Sequence, residues 1–252
     1  NSLHQYLFAG ALWIGAPVGG DTLVSVGADG WQMTQEMFPD EAPFGLMQKE
    51  STLDPDSPEY EGAVSHEDYI SVYTDTLTAG VDPDFFGRPH VPLNIRVTER
   101  SMAWSYPYTE DFVLFHYEIE NIGYEALHDV YVGVYVDGDV KRSDQDFGYG
   151  DDVCGYIDIA PVRFGPCEYH QQMNMAWIAD NDGDLGTPFP VPGATGIRLL
   201  SQADNVSFNW WLSNGNPGFD FGPRERSGMG DWAEPFRDFR TGGSGTPEGD
   251  NN

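Results

Sequence analysis

Lysine is almost missing from this chain: Lys49 and Lys141 are the two in 252 residues, beside ten arginines. Against them stand 26 Asp and 15 Glu, giving a formal net charge of −29 and a pI near 4.1. No Lys/Arg cluster exists to release counterions from a polyphosphate, which argues against nucleic acid as a partner. Attraction to an anionic membrane surface is disfavoured for the same reason. No run of 18 apolar residues occurs, so membrane insertion by a spanning helix is not expected. The six His (4, 66, 90, 116, 128, 170) are scattered, with no His-Glu-x-x-His, no Gly-x-Ser-x-Gly and no Gly-rich phosphate loop ending in Lys. These absences point away from an enzyme. Glu118 and Glu120 share one face of a predicted strand, and paired carboxylates can cleave a glycoside. Same-face neighbours about 7 Å apart are equally what a solvated strand face provides.

Cysteine is scarce too. Cys154 and Cys167 are the two, with twelve residues between them in a Gly/Pro-rich segment. We expect them to pair in an oxidising compartment, closing a small loop that contributes ~2–3 kcal/mol. Two buried thiols are the alternative.

What the chain does contain is turn-forming and aromatic sequence. Thirty Gly and 18 Pro punctuate it, which suits many short strands. A content of 40% hydrophobic and 14% aromatic residues is too apolar for a disordered acidic tail. Residues 94–105 alternate, with Ile95, Val97 and Glu99 on one face and Arg96, Thr98 and Arg100 on the other. Residues 112–120 form a second strand, and 129–136 a third with Val130, Val132, Val134 and Val136 on one face. Three such strands in succession predict an antiparallel meander whose apolar face packs on another sheet. Further strands are expected at 7–15, 22–26, 69–74, 173–179, 196–200 and 206–213, with hints of short helix at 65–73 and 33–37. The apolar strand at 7–15 has the composition to add to a neighbour's sheet edge. A start at Asn1 in place of Met leads us to expect a leader upstream.

The fold class expected is all-β, an antiparallel β-sandwich with long Gly/Asp/Pro-rich loops. Residues 1–214 read as the sandwich domain, with long loops at 39–62 and 80–92, and 215–252 as an irregular C-terminal extension. The stretch Gly242-Gly243-Ser244-Gly245-Thr246-Pro247 is a flexible tail by composition, ordered only if its own domain or a neighbouring subunit holds it.

Asp180-Asn181-Asp182-Gly183-Asp184 places oxygen ligands at alternating positions around a glycine, the donor type a hard cation such as Ca²⁺ takes. It is no EF-hand: position 6 is Leu185 and position 12 is Val191. Asp180, Asp182 and Asp184 would need further ligands, from backbone carbonyls or from the acidic stretch Asp137, Asp139, Asp144, Asp146, Asp151 and Asp152. Like charges in one loop repel unless a cation or water separates them. A solvated Asx-Gly turn is the alternative at 180–184, and a hairpin turn at Asp137-Gly138. More broadly, a solvated acidic surface in a saline habitat explains the shortage of lysine but not Asp clustering in Gly-rich loops. Trp210 and Trp211 are adjacent on a predicted strand and must point to opposite faces, so one is available to stack on a sugar or anchor a partner; a sandwich covered on both faces is the alternative. Asn205-Val206-Ser207 is an N-glycosylation acceptor pattern.

Several segments together carry a resemblance: Leu12-Trp13-Ile14-Gly15, residues 20–27, Glu110-Asp111-Phe112-Val113, residues 131–137, residues 180–184 and Phe208-Asn209-Trp210-Trp211. They resemble large secreted or surface-attached β-sandwich proteins of Bacteroidetes-related and candidate-phylum bacteria, which often carry a C-terminal secretion-sorting domain. Residues 117–123, followed by Leu127-His128-Asp129-Val130, are similar to adhesion-type immunoglobulin-like modules. The resemblance implies export. The expectation is an extracellular or cell-surface structural protein that self-assembles into a homo-oligomer or polymer (a surface layer, fibre or filament) stiffened by Ca²⁺. The alternative is a carbohydrate-binding or adhesive module with glycan partners.

Overall fold

The computed structural model describes residues 3–28, 35–39, 47–83, 87–144, 152–180, 183, 185, 186, 188, 190–201, 205–212 and 221–225. Among them there is no helix, and the fold is all-β and sandwich-like, as the alternation predicts. The strands are β1 (His4–Gln5), β2 (Ala9–Val18), β3 (Asp21–Val26), β4 (Phe38–Pro39), β5 (Gln48–Glu50), β6 (Glu67–Thr74), β7 (Ile95–Ala103), β8 (Leu114–Asn121), β9 (Tyr131–Asp137), β10 (Lys141–Arg142), β11 (Asp152–Phe164), β12 (Cys167–Asp180), β13 (Ala194–Arg198), β14 (Asn209–Leu212) and β15 (Phe221–Glu225). The chain divides into two compact units, one of residues 10–135 and one of 136–252 together with 1–9.

The 10–135 unit is built from two sheets, ordered β3-β2-β9 and β4-β6-β7-β8, with β5 also on β6. Alternation along β2 sends Leu12, Ile14 and Ala16 inward, where they meet Leu93, Ile95 and Val97 with Met37. Burying each of the larger aliphatic side chains contributes about 1.5–3 kcal/mol. One carboxylate ties this core together. Asp75 is fully buried just past the end of β6. It accepts from Ser25 Oγ at 2.7 Å, Leu93 N at 2.6 Å and Ile95 N at 2.8 Å, so one side chain joins β3 to the start of β7.

Three local expectations are corrected here. Residues 65–73 are not helical: Ser65 and Asp68 have the spacing of a helix cap, but Asp68 instead accepts from Val64 N at 2.7 Å and Ser65 N at 3.0 Å, closing a turn. The Tyr/Ile/Val/Thr-rich residues that follow then pair with β7 along all of β6. The expected meander is broken as well. β7 and β8 pair antiparallel, but β9 joins β2 in the other sheet, since residues 122–130 are long enough to cross between layers. The apolar strand at the N-terminus is not an available sheet-adding element, because β2 is the middle strand of its own sheet.

In the 136–252 unit, β11 and β12 form a long antiparallel hairpin, and β13 pairs with β12 over Met175–Ala179. Gly165, with φ of 58°, supplies the positive φ required at the first position of the two-residue turn that joins them. Val140, Ile178 and Val191 make a small core at the other end, with Tyr6 and Cys154 against it. On the ladder, Trp177 lies across Gly155; a Cβ there would fall 2.6 Å from the indole. The expected disulfide is overturned by register. Cys154 stands opposite Ile178 and Cys167 opposite Phe164, ten positions along the hairpin and roughly 33 Å apart. A bridge needs Cα atoms within about 7 Å, so these two cysteines do not bond to each other. Part of the stretch read as irregular, Phe221–Glu225, pairs with β14; residues 226–252, including the Gly/Ser tail, lie outside the described residues.

Candidate functional site

The acidic loops converge on the Val140/Ile178/Val191 core. β9 ends at Asp137, whose carbonyl accepts from Phe8 N at 2.9 Å. Gly138 then passes so close to Ile178 that a Cβ would lie 2.7 Å from its Cγ2. Asp152 opens β11 and accepts from Val140 N at 2.8 Å through Oδ2. Asp180 closes β12 directly opposite Asp152 and accepts from Gly183 N through Oδ1. Val191 N donates to the Gly183 carbonyl at 2.8 Å. Asp137, Asp152 and Asp180 are all buried, unusual for carboxylates. Burial also pushes the Asp139 carboxyl upward, opposed by the Lys141 ammonium 3.9 Å away. Asp144 differs: the Arg142 guanidinium grips it with two 3.0 Å bonds and holds it below the usual carboxylate range.

Four of the seven expected cation ligands are therefore placed: Asp137, Asp139, Asp152 and Asp180 gather in one unit. Asp151, Asp182 and Asp184 lie outside the described residues. Among the described residues, no three carboxylates, His or Cys converge closely enough to hold a metal ion by themselves. Asn205 is exposed and outside any strand. Trp210 and Trp211 lie on β14, where Trp210 stands opposite Arg224.

A second polar cluster, buried in the 10–135 unit, contains Ser, His and acidic residues yet lacks the order of a nucleophilic triad. Ser25 Oγ donates to Asp75 and not to a histidine. His90 Nε2 donates to the Asp75 carbonyl at 2.7 Å, and its Nδ1 lies 3.2 Å from Glu36 Oε1. Glu36 Oε2 in turn accepts from Val26 N at 3.0 Å. With Ser25 fully buried, no reacting group can reach it, and the cluster serves to tie strands together.

Two features, a groove and a tyrosine pair, had little sequence signal, and a third, the valine row of β9, was misread. On the solvent face of β6–β8, an open groove of about 450 Å³ is lined by Val64, Ile70, Thr98, Arg100, Met102, His116 and Glu118. Arg100 anchors its wall, binding Glu50 at 3.0 Å and the Gly62 carbonyl at 3.2 Å. Glu118 lines the groove, whereas Glu120 pairs with Arg96 at 3.2 Å. Beyond the end of β7, Tyr106 and Tyr108 stack in parallel, 5.5 Å between rings, and His66 leans on Tyr106 at 4.7 Å.

The third is the valine row of β9. The sequence pattern marks it as a core face, but Val130, Val132 and Val134 are 44%, 54% and 48% exposed; on the opposite face Tyr131 is 75% exposed as well, and only Tyr135, near the strand's end, is buried, stacking on Trp13 at 5.1 Å. Alternation specifies which residues share a face and not which face turns inward. No protein family, curated protein or solved structure matches this chain.

Proposed function

We propose that this chain is an extracellular structural protein, a self-assembling subunit of a surface layer, fibre or filament, whose acidic loops are stiffened by Ca²⁺. The observation that carries the reading is the exposed valine row of β9. Val130 to Val136 contains no charged side chain in a chain of net charge −29. β9 is also an edge strand among the described residues, with β2 on one side. An apolar, uncharged edge is a template for another chain, and soluble proteins ordinarily blunt such edges with charge. Phe115 and Ile119 add exposed apolar surface on β8, the edge of the other sheet in this unit. Ca²⁺ enters through Asp137, Asp139, Asp152 and Asp180, which bring oxygen donors of the type a divalent cation takes to one unit, with Asp182 or Asp184 as further ligands. Export and glycosylation of Asn205 belong to the same reading.

Light scattering and electron microscopy of purified protein, with Ca²⁺ and with chelator, test it. Ordered assemblies that depend on Ca²⁺ are expected. A monodisperse monomer at high protein concentration in Ca²⁺ overturns the reading. The exposed Tyr106/Tyr108 pair favours a second one, a carbohydrate-binding or adhesive module, since parallel rings offer a stacking surface to a sugar. Glycan binding that is lost in Tyr108→Ala, or in Trp210→Ala or Trp211→Ala, supports this alternative. No binding at millimolar glycan removes it.

A further inference from the structure

The β11–β12 hairpin continues well past the sheet that supports it. β13 pairs with β12 at Met175–Ala179, and Leu199 and Arg198 bond onward to the Asn174, Met173 and Gln172 carbonyls, so among the described residues the five pairs from Ala160–Gln171 to Phe164–Cys167 are two-stranded. Residues 163–170 at its end are all exposed, Phe164 to 82%. A two-stranded ribbon by itself is marginally stable in water. Its charge is also unlike the rest of the chain. Between Ile159 and Gln172 the charged side chains are Arg163 and Glu168, and they pair with each other at 2.7 Å. The arm is thus formally neutral in a chain of −29.

The two edges of the arm differ. The two-residue turn makes Phe164 and Cys167 a mutually hydrogen-bonded pair, so that N–H and C=O groups alternate inward and outward from there. Cys167, Tyr169 and Gln171 then point inward to β11, and Glu168 and His170 point outward. On β11, Pro161 stands opposite His170, an outward position, so its missing N–H lies on the outer edge and blocks strand addition there. On β12 the outward groups belong to Glu168 and His170, and no proline guards them.

We propose that this β12 edge is a docking surface for a second copy of this chain, the two arms pairing antiparallel about a two-fold axis at Tyr169. The inference rests on the self-assembly reading and supplies one of its contacts. In this register Glu168 stands opposite the partner's His170 and His170 opposite the partner's Glu168, so the backbone parity and the side chains agree. Tyr169 faces the partner's Tyr169 as a non-hydrogen-bonded pair. The two marginal ribbons become one four-stranded sheet with a Pro161 at each outer edge. Neutrality lets two strongly acidic copies approach at this point without opposing like charges.

Directed crosslinking tests this. In a Cys167→Ser background, Tyr169→Cys places two thiols at a pair whose Cα atoms lie about 4.5–5.5 Å apart, within disulfide range. Mild oxidation is expected to give an interchain dimer, while Arg163→Cys in the same background, on the far strand, does not. His170→Pro, which removes an outward N–H and spares the hairpin, is expected to weaken association at least tenfold by sedimentation, with an unchanged circular dichroism spectrum. If wild-type protein associates but Tyr169→Cys crosslinks no better than Arg163→Cys, or His170→Pro associates like wild type, the arm contact is overturned and the assembly reading stands. If wild-type protein stays monomeric under all conditions, the assembly reading falls and the arm contact falls with it.

Discussion

Asp152 and Asp180 stand directly opposite each other across the β11–β12 ladder, both buried. Two carboxyl groups side by side on a ladder offer oxygen donors of the kind a divalent cation takes. Added Ca²⁺ at about 100 times its Kd is expected to raise Tm by about 5–10 °C for a domain of this size. Asp180→Asn should remove most of that increment. A melting temperature indifferent to both Ca²⁺ and chelator contradicts the proposal.

Asp139 gives a pH test. Burial raises its folded carboxyl above the unfolded value, so the contribution to stability is complete below the unfolded value and is lost as pH rises through the folded one. In chelator, Asp139→Asn should therefore be more stable than wild type at pH 7, with the difference shrinking towards pH 4. Urea unfolding of both proteins across that range reads the difference. Ca²⁺ should abolish or invert it.

The alkaline side is controlled by Tyr73, Tyr117 and Glu99. Tyr73 Oη donates to Glu99 Oε2 at 2.9 Å, and Tyr117 stands opposite Glu99 on β8. Burial first, then the Glu99 carboxylate, pushes Tyr117 up to about 12 and Tyr73 further in the same direction. The unfolded chain ionises these phenols from about pH 10, so stability should fall as pH rises through the interval between about 10 and 12. Ultraviolet titration should show both tyrosinates appearing only with unfolding. Tyr73→Phe should cost about 1 kcal/mol at neutral pH.

Asp75 is the most consequential single polar residue of the 10–135 unit. Removing its carboxylate takes the acceptor from Leu93 N, Ile95 N and Ser25 Oγ, all of them buried. Asp75→Ala should cost about 4 kcal/mol by chemical denaturation, and Asp75→Asn about half of that. A cost below about 1 kcal/mol would mean that water replaces the lost bonds.

The sequence made β7 and β8 legible through period-two patterning, and β2 through an apolar run ended by Gly-Asp turn residues. It took the valine row of β9 for core, whereas both faces of that strand are exposed over residues 131–134 and burial begins only at Tyr135, packed on Trp13. It missed β11 altogether: Gly155, Asp158 and Pro161 read as loop residues, and their compatibility with a strand depends on Trp177 filling the glycine's space and on Pro161 facing an open edge. The same blindness made two cysteines thirteen positions apart look like neighbours, because chain separation says nothing about distance once the segment is extended. The acidic residues were visible as a cluster; that Asp137, Asp152 and Asp180 are the buried ones follows from the strand ends that carry them.

Gly155 and Trp177 also bear on how variation in this protein should be read. Neither is chemically reactive, yet neither can change alone: any side chain at 155 displaces the indole, and any smaller residue at 177 leaves a gap beside a glycine. A mutational scan would show both as intolerant and coupled. That pattern would mark a steric lock at the root of the arm, and it should not be mistaken for a ligand site.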